Sequence, residues 1–267
     1  VGLEVTCAGL TGVKPSPRPS IQIRAFHSNI VAAVGKLTEA LQLNHESLLC
    51  GNAAPSTACR ICDGGMAYPR VDVTDRAYFQ CRRCEGTFVA WEGLPTSDVE
   101  RSQYELHEND ASDPNYRQFV GRLVAPLIER LAAGAEGLDY GCGEGPAGAA
   151  MLIEAGFNVT LYDPFFVPDE AALERDYDFV FCCETAEHFH DPGREFDKME
   201  QLLRRGGILA IMTGLEYPQV NFATWHYRRD PTHVTFYRPV TMERIAQDRG
   251  WEVDFPSKNT ILFRKQS

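Results

Sequence analysis

The chain has 267 residues and 44% hydrophobic composition, enough for one α/β domain and a small accessory module. Its formal net charge of −11 argues against extended nucleic-acid binding while leaving room for a local basic pocket. No run of about 18 apolar residues marks a membrane span, and no charged start followed by an apolar core marks a secretory leader.

Residues 1–55 open with Pro15, Pro17 and Pro19, which predict an extended arm. Ile30, Val34, Leu37 and Leu41 then recur at helical spacing and predict a short amphipathic helix. Neither Cys7 nor Cys50 has a visible role.

Residues 56–92 contain two CxxC knuckles, Cys59–Cys62 and Cys81–Cys84, with 18 residues between them. This is the spacing of a zinc ribbon, in which each tight turn offers two thiolates and two turns complete a tetrahedron. Short strands are expected at 67–73, 77–80 and 87–91. Such a patch buries little, and metal binding can supply roughly 10–16 kcal/mol of its folding energy. A four-thiolate site is closed to chemistry, so the module is either a structural staple at the mouth of a site or a recognition surface. Arg60, Arg70, Arg76, Arg82 and Arg83 make it locally basic. Available thiols imply a reducing compartment, hence the cytoplasm. Cys142, Cys182 and Cys183 read as packed small residues.

Residues 93–115 are polar and turn-rich and carry Tyr104, His107 and Glu108. They form either a plain connector or a lid. Residues 116–267 then alternate helices and apolar strands. A helix over 116–133 leads to a strand at Leu138, and a small-residue helix spans 146–155. Strands follow at 157–163 and 178–184, a helix at 196–203 closed by Gly206 and Gly207, and a strand at 208–213. A helix over 240–249 ends at Gly250, ahead of a final strand pair at 251–255 and 260–264. The interval between Asp163 and Tyr177 leaves little room for another strand and helix.

The turn at 138–145 carries the most information. Gly141, Gly143 and Gly145 let the backbone approach a ligand where a Cβ would clash. Asp163, 20 residues after Gly143, ends the next strand, where a carboxylate can accept both ribose hydroxyl protons. A dinucleotide loop wants a third glycine where Pro146 stands, which disfavours a nicotinamide oxidoreductase. The loop Asp139-x-Gly141-x-Gly143-x-Gly145 resembles motif I of class I S-adenosylmethionine (AdoMet)-dependent methyltransferases. The resemblance implies a Rossmann-like sheet, with Asp139 near the methionine amino group and Asp163 on the ribose.

The 178–184 strand ends in Glu184, followed by Glu187, His188 and His190. Ligands of open α/β sheets lie at the carboxyl ends of strands, so this segment borders the transferable methyl. Two carboxylates and an imidazole on one turn suit a divalent cation, Mg²⁺ among them. Glu-x-x-Glu-His is similar to the metal-binding stretch of small-RNA 3′-terminal 2′-O-methyltransferases and of ubiquinone-pathway O-methyltransferases. In the former a downstream histidine completes the site, and His226 and His233 are the candidates. The same stretch occurs in methyltransferases with no known metal, where Glu187 and His188 shape the fold or the acceptor pocket. His188, His226 or His233 is also the candidate general base. Arg228, Arg229 and Arg238 either bind an acidic acceptor or pair with nearby Asp230 and Glu243.

From Tyr104 onward the chain looks like a bacterial group of AdoMet-dependent methyltransferases of unassigned substrate. The likeness runs through Tyr104-x-x-His107, Gly137 to Gly143, Tyr162 to Phe166, Glu187 to Pro192, Trp225 to Val234, and Phe236-Tyr237. The ribbon fits that group as well, so the resemblance covers about residues 56–265. It implies methyl transfer to an acceptor it does not name; the carboxylate–histidine cluster sets the expectation of a hydroxyl, on a small molecule or other substrate. The competing reading is a zinc-ribbon adaptor that binds AdoMet without turnover.

Overall fold

The computed structural model describes residues 56–106 and 109–266. The proline-rich arm, the helix expected from Ile30 to Leu41, Cys7 and Cys50 lie outside the described residues, as do His107 and Glu108.

Two sheets are present. The smaller contains β1 (Thr57–Ala58), β2 (Met66–Pro69), β3 (Tyr78–Cys81) and β4 (Thr87–Val89), joined antiparallel in sequence order. A 3-10 turn at Trp91–Gly93 leads to helix α1 (Ser97–Tyr104) and then α2 (Pro114–Ile128). Asp113 caps α2 by accepting from the Asn115 amide at 2.9 Å, and Pro114 takes the first position, where a missing N–H costs nothing.

The larger sheet is built from β5 (Glu136–Tyr140), β6 (Asn158–Tyr162), β7 (Tyr177–Cys183), β8 (Leu203–Met212), β10 (Glu252–Ser257) and β11 (Thr260–Arg264), in the order β10-β11-β8-β7-β5-β6. The four strands from β8 to β6 pair in parallel, and β10 and β11 run antiparallel at the other edge. Its crossovers include α3 (Ala147–Glu154), α4 (Pro192–Leu202) and α5 (Pro239–Arg249). Between Asp163 and Tyr177 only a small bridge to Val167 and a 3-10 turn at Glu170–Glu174 intervene, so among the described residues no further strand flanks β6. This is the shortening expected from the sequence.

Alternation along β7 decides which core each side chain joins. Phe179 and Phe181 face Val120, Leu123, Val124 and Leu127 of α2, while Val180 and Cys182 face Phe196 and Met199 of α4. Both faces are dry, which explains the unbroken apolar run. Gly206 and Gly207 lie within β8, not at a helix end: α4 stops at Leu202, and Gly206, at φ +74°, sits where the β7–β8 register shifts. There the positive φ serves a bulge.

Two further elements were absent from the sequence expectations. The 93–115 stretch contains α1. The turn-rich 225–237 stretch contributes β9 (Thr235–Phe236), which pairs with β4 and completes the small sheet, Phe88 opposite Thr235. Ile61, Cys81 and Phe88 join the same apolar cluster as Met242 and Ile245 of α5. The cysteine-bearing module is therefore welded to the α/β core. No helix among the described residues is long and apolar enough to cross a membrane.

Candidate functional site

The glycine turn leaves β5 and crosses the ends of β6 and β7. Gly141 has φ +83°, and a Cβ there would overlap the Thr185 side chain. Gly143, at φ +62°, donates its amide to Asp163 Oδ2 at 3.0 Å. Asp163 Oδ1 accepts from the amides of Phe165 and Phe166 at 2.8 and 3.1 Å. The acid at the tip of β6 thus locks the loop and its own turn together. Asp139 is fully enclosed behind the loop, and burial, with Asp163 adding to it, pushes its pKa well above the usual carboxylate range. A Cβ on Gly145 would overlap the carbonyl oxygen of Asn109. The segment ahead of α2 therefore lies directly on the turn.

Helix α1 covers the neighbouring end of β7. The Tyr104 ring packs edge-on against Phe165, centroids 5.4 Å apart, and against His188 at 5.1 Å. Glu100 Oε1 lies 2.9 Å from His190 Nε2. His190 thereby fastens this helix.

Beneath Tyr104 the structure gathers Glu187, His188 and His233, whose donor atoms lie within 4.8 Å of one another. Glu187 is 1% exposed. Its Oε2 accepts from Thr213 Oγ1 at 2.8 Å, and its Oε1 is buried with no hydrogen-bond partner among the described residues. The Nε2 atoms of His188 and His233 each stand 4.0 Å from that Oε1. The Nδ1 atoms lie 3.1 Å from the Thr232 carbonyl and 2.6 Å from the Tyr227 carbonyl. A carbonyl only accepts, so each Nδ1 carries a proton and each ring turns its Nε2 atom toward Glu187. Burial, its largest cause, holds the His188 pKa below the ordinary histidine value. Carbonyl-anchored imidazoles of this kind are the outer-shell arrangement of metal-binding histidines.

Glu184 stands beside this group and outside it. Its backbone has φ +50°, and the Tyr227 hydroxyl donates to Oε2 at 3.3 Å. Burial, aided by the Glu187 charge, pushes its pKa up to about 9, so it holds a proton at neutral pH. His226 is exposed on a 3-10 turn and lies outside the group. Arg228 pairs with Asp75 and Arg238 with Glu85 and Glu216, partners other than the expected Asp230 and Glu243. Sequence reasoning gave no role to Tyr227 or Thr213. Tyr227 also receives the Gly214 amide at 2.9 Å and so organises Glu184 and one imidazole directly, and Glu187 through the Thr213 hydroxyl 3.2 Å away. Its only sequence signal is its place between the two candidate histidines.

The four knuckle thiols also meet. Cys59 and Cys84 Sγ atoms are 3.8 Å apart, as are those of Cys62 and Cys81. A tetrahedron of zinc–sulfur bonds of about 2.3 Å has edges of about 3.8 Å. The amides of Ile61 and Cys62 donate to Cys59 Sγ at 3.3 and 3.4 Å, and that of Arg83 to Cys81 Sγ at 3.3 Å, which suits thiolate charge. A Cβ on Gly65 would lie 2.7 Å from Cys81 Sγ and 2.8 Å from Cys62 Sγ. The donor set and its cradle fit zinc.

Residues 114–254 match the family model described as Methyltransferase domain, and the chain belongs to that family. Those residues form a class I AdoMet-dependent methyltransferase domain, and the large sheet with its helices is the α/β Rossmann-like fold. Solved structures similar in fold include Burkholderia thailandensis 1,6-didemethyltoxoflavin-N1-methyltransferase with bound 1,6-didemethyltoxoflavin and S-adenosylhomocysteine. That match has 16% identity, covers 74% of this chain and 99% of the other, and has a TM-score of 0.45. A methyltransferase from Archaeoglobus fulgidus matches at 17% identity, 56% and 94% coverage and a TM-score of 0.44. CalO1, a methyltransferase of calicheamicin biosynthesis in its S-adenosylhomocysteine-bound form, matches at 15% identity over 57% of this chain, with a TM-score of 0.42; the match spans only 55% of CalO1. No curated protein matches the sequence.

Proposed function

We propose that this enzyme methylates a hydroxyl-bearing acceptor with the help of a divalent cation held by Glu187, His188 and His233. The carrying observation is the buried Glu187 Oε1, which has no hydrogen-bond partner among the described residues and has the Nε2 atoms of His188 and His233 at 4.0 Å each. Buried inward-facing groups of this kind need a cation or protons between them, and one carboxylate with two imidazoles is a donor set that a divalent cation takes. Two imidazoles and one carboxylate suit Mn²⁺, Fe²⁺ or Zn²⁺ better than the Mg²⁺ suggested by the acid-rich sequence. When bound, the cation would lower the pKa of an acceptor hydroxyl and orient it.

The remaining work belongs to the chain. Methyl transfer from a sulfonium is an in-line displacement, so alignment supplies much of the acceleration. In this reading Gly141, Gly143 and Gly145 carry the nucleoside, Asp163 its ribose hydroxyls, and Asp139 the side of the methionine amino group. Protonated Glu184 offers a neutral donor at the cofactor's edge without a repelling charge. Tyr104 closes the centre against water. Zinc at Cys59, Cys62, Cys81 and Cys84 is structural, and residues 56–92 act as a ribbon, residues 93–115 as a lid and residues 116–267 as the catalytic domain.

Support would come from calorimetry and elemental analysis of the full chain. AdoMet should bind, and Mn²⁺ should occupy a site distinct from the zinc. Glu187→Gln should abolish that Mn²⁺ binding while keeping zinc and AdoMet. Equal Mn²⁺ uptake by wild type and variant would overturn the cation assignment, and absence of AdoMet binding would overturn the methyl-transfer reading.

A further inference from the structure

Beside the transfer centre, at the seam between the ribbon and the turn leading to His233, lies an open cavity of about 460 Å³. That volume is in the range of small-molecule sites. Asp75, Arg76, Tyr78, Val99, Arg228 and Arg229 line it. Its charges do not balance. Arg228 is neutralised by both carboxylate oxygens of Asp75, at 2.9 and 3.1 Å. Among the described residues Arg76 donates only to carbonyl oxygens, of His233 at 3.1 Å and of Gly93 at 2.9 Å, and has no counterion there. Arg229 is exposed and forms no ion pair among the described residues. Two guanidinium charges thus face one cavity in a chain of net charge −11.

Tyr78 gives an independent sign of a ligand. It is 2% exposed, and its hydroxyl has no hydrogen-bond partner among the described residues. A buried hydroxyl left unpaired is unfavourable, and a ligand oxygen would satisfy it. The cavity also shares walls with the reacting centre. Arg76 is bonded to the backbone of His233, and Val99 lies on α1, whose Tyr104 ring touches His188.

We propose that this cavity seats the methyl acceptor, and that the acceptor is a small molecule bearing an oxyanionic group, carboxylate or phosphate. Arg76 and Arg229 bind that group and the Tyr78 hydroxyl donates to it. The inference rests on the methyl-transfer reading of the Glu187 centre and names the substrate class for it.

The test titrates inorganic phosphate and, separately, succinate into the AdoMet-saturated full chain. One of the two probes should bind, which distinguishes the phosphate from the carboxylate form of the acceptor. Arg229→Ala and Tyr78→Phe should each weaken that binding about tenfold, the loss of one charge-assisted hydrogen bond. AdoMet affinity should stay unchanged in both. Tyr78→Phe removes a hydroxyl that has no hydrogen-bond partner among the described residues, the neighbouring Arg228 guanidinium being paired with Asp75, so a purely structural tyrosine would give wild-type binding. Arg82→Ala, at an exposed arginine stacked on Tyr68, should change nothing. In a metabolite extract with labelled AdoMet, the label should enter a small product retained on an anion exchanger. Failure of both probes to bind, equal binding by the variants, or label in a neutral product or in nucleic acid would overturn the proposal. Intact AdoMet binding without oxyanion binding strikes only the cavity, whereas absent AdoMet binding strikes the proposed function itself.

Discussion

Glu100 on α1 and His190 on the loop after β7 meet at 2.9 Å, 90 positions apart in the chain. Arg60, from the first cysteine knuckle, donates to the His190 carbonyl at 2.7 Å. One histidine therefore ties the helix above the site to the ribbon beside it. Cutting the side-chain half of this tie, by Glu100→Ala, should loosen α1 at a cost of about 1 kcal/mol in stability. Faster amide hydrogen exchange across 97–104, with α2 unchanged, is the expected result.

Gly145→Ala should displace the Asn109 backbone from the glycine turn, because the added carbon overlaps the Asn109 carbonyl. We expect AdoMet to bind about tenfold more weakly, roughly 1.4 kcal/mol, with the melting temperature little changed. Gly134→Ala, with open space at its Cβ but φ +73°, is the contrasting variant: it should lower stability and leave AdoMet affinity intact.

Gly65→Ala should damage the thiol cluster without touching a cysteine. The new Cβ would press on Cys81 and Cys62 Sγ. Zinc release to a chromogenic chelator should accelerate, and protease cleavage within 56–92 should increase. Release as slow as in wild type would contradict the packing.

Glu184 should make stability fall with rising pH. Its folded pKa is raised to about 9 from an ordinary 4.5. Below pH 4.5 both states are protonated and nothing is lost. Between 4.5 and 9 the unfolded chain ionises this group while the folded chain keeps it neutral, so unfolding becomes easier as pH rises. Glu184→Gln keeps a neutral side chain throughout. In metal-free buffer without AdoMet, its melting temperature should exceed that of wild type at pH 8, with the gap closing at pH 5.

The α/β order was legible because period and punctuation agree along it. β7 reads as an unbroken apolar run, α5 ends at Gly250 in the left-handed region at φ +66°, and the shortened stretch after Asp163 is visible from length alone. Helix α1 was hidden by its polarity: among its residues only Glu100 is buried. Acidic Asp98 and Glu100 in its first turn, after Thr96, were the available start signal. Strand β9 is two residues long and exists because β4 offers it an edge, a tertiary cause that no local pattern announces. At the site, Glu187 and His188 were nameable from residue type and spacing, and His233 as one of two candidates that the family resemblance implied. The separation of Glu184 and His226 from them follows from the left-handed turn at Glu184 and the exposed turn at His226, which composition does not encode.

The pairing of β4 with β9 has a consequence for anyone who divides this enzyme. Val89 donates its amide to the Val234 carbonyl at 2.9 Å, and Val234 donates to the Glu187 carbonyl at the same distance. An amputated catalytic half would bare the Thr235–Phe236 edge, a sticky template for other strands. It would also lose the scaffold that holds His233 and Glu187 in register. Half the molecule would not be a simpler catalyst but an unfinished one.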